Sequence, residues 1–101
     1  MEDEYKSNRH YVGVLAQRLK EYRLAMRMSQ KEMAEVSGVS YATISHFEQG
    51  VHPNITLSNF VALLRAVGME RRLEELLPEL PVSPLALREI NKYIPKRVRR
   101  K

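Results

Sequence analysis

Few side chains in this chain are suited to breaking bonds. There are three histidines, His10, His46 and His52, and no cysteine. Thiolate nucleophiles, disulfides and cysteine-based zinc sites are thereby excluded. The histidines lack metal-ligand spacing, so neither a metal nor a cofactor is expected. Ser45 and His46 are neighbours, and adjacent helical residues point in different directions, so they cannot pair as nucleophile and base. No glycine-rich phosphate loop is present, and no acid pair is placed as in a glycosidase. The chain therefore reads as a non-enzyme. What remains is a chemistry of contact. Tyr41, Ala42, Thr43, His46 and Gln49 are polar or small and share one short stretch. They can offer hydrogen bonds and a methyl group to another surface.

Such residues are useful only if an element presents them together. Ser29 is a good helix N-cap, and Glu32 three residues later completes a capping box. The helix it starts has Met33, Ala34 and Val36 as its apolar face, and Gly38 ends it. Ser40 caps a second helix, with Ile44 and Phe47 inward and Gly50 at its end. Met33, Ala34, Val39, Ile44 and Phe47 form one shared apolar wedge, with Ala34 small where the two helices must approach. The pattern is a helix-turn-helix spanning 29–50. One face of its second helix is then free of core duty, and that face carries Tyr41, Ala42, Thr43, His46 and Gln49. A helix fits the DNA major groove, and short side chains near its N-terminus can reach base edges. Ala42 offers only a methyl, which suits thymine. Ser29 and Gln30 sit where backbone N–H groups and the positive dipole end point outward, a natural place for a phosphate.

The rest of the chain carries helical periodicity and no sustained period-two pattern, so an all-α fold is expected. Ser7 or Asn8 caps a helix running to Arg27, with Val12, Leu15, Ala16, Leu19, Tyr22 and Met26 along one stripe. Val51–Ile55 is a loop holding His52, Pro53 and Asn54. Thr56 caps a fourth helix with Leu57, Phe60, Leu63, Leu64 and Val67 inward, stopped at Gly68. A fifth spans Met69–Leu77, and its Leu73, Leu76 and Leu77 are expected at a dimer contact. Pro78, Pro81 and Pro84 then make a stiff linker. Ser83 and Pro84 can start a short helix reaching Ile90 or Tyr93, which Pro95 ends. The organisation expected is a DNA-binding domain over 8–77 and a proline-containing linker, short helix and basic tail over 78–101.

The net charge of +5 is unevenly spread. Residues 1–8 carry −2, residues 92–101 carry +6, and the remainder is left at +1. High basicity thus belongs to the tail and says little about the folded body. For the tail, three roles stay open: solubility, phosphate contact and partner binding. The N-terminal MEDEYKSN is acidic where a signal peptide is basic, and no run approaches the roughly 20 apolar residues of a membrane span. A cytoplasmic protein without membrane contact is expected.

Residues 15–77 resemble the XRE, or lambda-repressor-like, helix-turn-helix domains. Leu19, Arg23, Ser29-Gln30, Met33-Ala34, Gly38-Val39-Ser40, Ile44-Ser45, Glu48 and Gly50 carry the likeness. The resemblance implies a five-helix lambda-repressor-like domain that binds palindromic double-stranded DNA as a homodimer. It further implies that Gln30 braces an operator phosphate and the start of the recognition helix. Tyr41, Ala42 and His46 would fall at base-reading positions, with Ser40 and Thr43 near the DNA backbone. Arg23 and Glu48 would form an internal ion pair. The reading positions depart from the glutamines frequent in phage members, so an operator cannot be copied across. The segment from Leu76 onward is similar to the ends of HipB-type regulators. That implies an alternative role: an antitoxin that binds a kinase-like toxin and autoregulates its operon.

Overall fold

A computed structural model describes residues 5–50, 54–80, 85, 88 and 89. Among these, five helices follow one another: α1 (Asn8–Ala25), α2 (Gln30–Ser37), α3 (Tyr41–Gln49), α4 (Leu57–Ala66) and α5 (Arg72–Leu76). There is no strand among the described residues. The all-helical architecture is that of a small lambda-repressor-like domain.

Four of the five helices start at a hydroxyl. Ser7, Ser29, Ser40 and Thr56 each accept a backbone N–H from the residue three positions on, at 3.0, 3.0, 3.1 and 3.0 Å. Each bond satisfies one of the orphan donors of a first helical turn, worth about 1 kcal/mol. Ser29 has the complete capping box, because Glu32 Oε1 also accepts the Ser29 N–H at 2.8 Å. Gly38, with φ +78°, ends α2 and donates to the Ala34 carbonyl at 2.9 Å. That left-handed residue lets the chain reverse within two residues and reach the next cap at Ser40.

The core is Ala16, Leu19, Met33, Val39, Ile44, Phe47, Leu63 and Val67, with Met33, Ile44 and Leu63 sealed from solvent. α3 packs against both α1 and α2, and α4 packs against α2. Phe47 of α3 meets Phe60 edge to face, with ring centroids 5.8 Å apart. The expected wedge is therefore present, with Ala34 half-buried against it.

Several expectations are corrected. α1 ends at Ala25, two residues early, because Arg27 takes a left-handed conformation (φ +59°) and turns the chain toward Ser29. Leu15, Tyr22 and Met26 of its stripe are exposed. Leu15 and Tyr22 border an open groove, while Met26 is already the C-cap. Val36 faces solvent, since Met33 alone fills the buried position of α2. Leu57, in the first turn of α4, is exposed as well. α5 covers only Arg72–Leu76 and has no side-chain cap. Of the short helix expected after Ser83, residues 85, 88 and 89 are helical and the rest lies outside the described residues.

Candidate nucleic-acid interface

α3 is held from behind and left open in front. Ile44 and Phe47 are buried on one side. Tyr41, Ala42, His46 and Gln49 are exposed on the other, and Thr43 is half-buried at its edge. At about 100° per residue, the exposed residues fall within an arc of roughly 140°. Ser45 lies in the middle of that arc, half-buried, and accepts a hydrogen bond from Gln49 Nε2 at 3.3 Å. Sequence reasoning takes Ser45 as a rejected nucleophile and as part of the family likeness, and assigns it no place on the contact face. Its place four residues after Tyr41 and four before Gln49 was the signal that it shares their face.

The hydroxyls at the start of α3 are occupied by the fold. Ser40 Oγ accepts the Thr43 N–H and donates to Thr43 Oγ1 at 2.9 Å. A hydroxyl oxygen still has acceptor capacity, and Thr43 Oγ1 keeps its own proton to donate. Thr43 and His46 also line a shallow cleft with Phe47, Asn54 and Ile55. Asn54 was read only as a turn former, and it stands beside the face that α3 presents. His52 falls outside the described residues.

An ion-pair network fixes the back of this arrangement. Arg23 Nε donates to Glu48 Oε2 and Nη2 to Glu48 Oε1, both at 2.8 Å. Arg23 Nη1 donates to the Met28 carbonyl at 2.8 Å, and Gln30 Nε2 donates to Glu48 Oε1 at 2.9 Å. The two charged side chains are only 7% and 3% exposed. The hydrogen bond to Glu48 and its charge hold the Arg23 guanidinium above the usual arginine range, against an opposing effect of burial. The bidentate geometry suits arginine and no other cation. The pair expected between Arg23 and Glu48 is therefore formed. Gln30 is also a brace, but it grips the last turn of α3 rather than the first, because Glu48 is the acceptor within its reach. Together these bonds join α1, α2 and α3.

The remaining sites separate from this face. His10 stacks edge to face on Tyr11, 5.2 Å away at the start of α1. No group of three metal-ligating residues exists among the described residues. Nor is any described helix long and apolar enough to cross a membrane. Leu73 and Leu76 line an open apolar groove of about 290 Å³ with Leu15, Tyr22, Phe60 and Leu64. Leu76 is 72% and Leu77 83% exposed.

A capped helix fixed behind by two others, with a contiguous polar face outward, defines the helix-turn-helix class of DNA-binding domain. Comparison with protein families agrees. The chain belongs to the helix-turn-helix family, whose model matches residues 19–73, more than half of its length. A search of curated proteins finds no match.

Proposed function

We propose that the protein is a sequence-specific transcriptional regulator: a homodimeric repressor that binds a palindromic operator through α3. One observation carries this reading. The outward face of α3 is polar and exposed, while its other side is held by Ile44, Phe47 and the Arg23–Glu48–Gln30 network. Tyr41, Ala42 and His46 read base edges, Ser40 and Thr43 lie along the DNA backbone, and Gln49 closes the face. Ser29 and Gln30 meet a phosphate. An amide nitrogen has two hydrogens, so Gln30 can brace Glu48 with one and a phosphate oxygen with the other. Residues 8–77 form the DNA-binding unit, and 78–101 are linker and tail.

The dimer reading draws support from Leu73, Leu76 and Leu77 beside an unfilled groove. In a two-fold dimer the two copies of α3 would stand about 34 Å apart, one turn of B-DNA. The antitoxin alternative rests on residues 76–101, and nothing in the described part favours it over a repressor.

Selection of bound DNA from a random library with purified protein tests the proposal. A palindromic consensus with half-sites about 10 base pairs apart is expected. Enrichment of no sequence would overturn it. Tyr41→Ala and His46→Ala should each change the consensus at one position per half-site and cost roughly 1–3 kcal/mol there.

A further inference from the structure

The face of α3 carries no lysine or arginine: between Tyr41 and Gln49 the charged or titratable residues are His46 and Glu48. DNA affinity depends largely on neutralising phosphates, so cations must come from elsewhere on the surface. Arg23 is nearly buried and fully engaged with Glu48 and Met28. The described cations nearest in the chain to Ser29 and Gln30 are Arg27 and Lys31, both exposed. Arg27 differs from every other described cation in one respect.

α1 ends in a Schellman turn. Met28 N–H donates to the Arg23 carbonyl at 3.1 Å and Arg27 N–H to the Leu24 carbonyl at 2.9 Å. α4 ends in the same way: Met69 N–H donates to Leu64 at 2.8 Å and Gly68 N–H to Arg65 at 3.0 Å. In both turns one residue must be left-handed, which suits glycine. α4 has Gly68 there, with φ +76°, and α1 has Arg27, the only described non-glycine residue with positive φ. Its side chain is exposed and makes no hydrogen bond or ion pair with another described residue. The fold gains nothing visible from an arginine at this point and bears its backbone cost.

We propose that Arg27 is a DNA phosphate contact, supplying beside Ser29 and Gln30 the positive charge that α3 lacks. This rests on the reading of the protein as DNA-binding, but not on operator recognition, because a phosphate contact is indifferent to sequence. Fold stability and DNA affinity are then opposed at this one position.

The test uses the full chain, a duplex of random sequence, and binding measured over a range of salt concentrations. Arg27→Gly should melt a few degrees higher, since the left-handed strain is removed. It should bind the random duplex roughly tenfold more weakly at low salt, with the slope of log K against log salt reduced by about 1. Arg27→Lys should keep the wild-type slope. Lys20→Gln, an equal loss of charge at an exposed position of α1 away from the groove, should leave the slope unchanged. A wild-type slope in Arg27→Gly would overturn the proposal. So would a lower melting temperature with weaker binding, which would make the arginine a structural residue, or a Lys20→Gln slope reduced to the same extent, which would reduce the effect to net charge. Wild-type protein that fails to bind the random duplex would overturn it too. Normal behaviour here with no consensus in the selection would leave this inference standing and remove the operator reading alone.

Discussion

The two ends of the helical domain treat their large apolar side chains in opposite ways. Around α2 and α3, Met33, Val39, Ile44 and Phe47 are buried, and the polar residues point out. In α5 no residue is buried, and Leu76 and Leu77 are among the most exposed leucines described. The first region is finished within one chain, so its outward face is free to meet something polar. The second is unfinished, because a five-residue helix with no side-chain cap cannot seal the groove beside it. Exposure thus means different things at the two ends. On α3 it supports the proposed surface for DNA, and on α5 the proposed surface for protein.

The sharpest way to break the comparison is to open the finished end. Ile44 is fully buried, and Ile44→Ala should cost about 4 kcal/mol through lost burial and a residual cavity. A thermal melt should fall by roughly 15–30 °C, with DNA binding lost as the domain unfolds. A fall of only a few degrees would show that α3 is not anchored as described.

Glu48→Ala attacks the same end through its electrostatics. It leaves the Arg23 guanidinium nearly buried without a carboxylate and removes the acceptor of Gln30. The expected cost is about 3 kcal/mol, seen in urea denaturation as a lower midpoint with unchanged slope. The pH behaviour follows from the raised Arg23 value. A cation held above its unfolded value contributes fully below that value and loses the contribution only as pH rises through the folded one. Both lie in the strongly alkaline range, so Arg23's contribution should stay constant between about pH 6 and pH 9. A marked decline of that contribution within this window would assign the network to a different titrating group.

The finished end was also the end legible in the sequence. Its caps at Ser29 and Ser40, its stop at Gly38 and its wedge are local signals, each readable within a few residues. The Arg23–Glu48 pair was reached only through resemblance, since nothing local links positions so far apart in the chain. The Gln30 brace was misplaced along α3 because its acceptor depends on how two helices cross. Ser45 and Asn54 were missed because a half-buried polar residue has no distinctive local pattern. The unfinished end was less legible. Apolar spacing in α1 and α4 looked alike for Leu19, Leu15 and Leu57, yet only Leu19 is buried. Periodicity shows which side of a helix is apolar, and the neighbours decide how much of that side is covered.

The smallest expected effect on folding is at α5, and there the absence of an effect is informative. Leu76 is already largely in water within a single chain, so Leu76→Lys removes little buried area. In dilute protein it should shift stability by no more than about 0.5 kcal/mol. If the groove and α5 form an interface between two copies, the same substitution places a charge in an apolar contact. Sedimentation should then show monomers at concentrations where the wild type is dimeric. The wild type's melting temperature should rise with concentration, and the variant's should not. Operator binding should weaken far more than stability, because two linked recognition helices act through effective concentration. A Leu76→Lys protein that remains dimeric would move the interface away from α5. It would then give Leu76 and Leu77 the same meaning as Val36, an apolar side chain exposed on a helix without a partner.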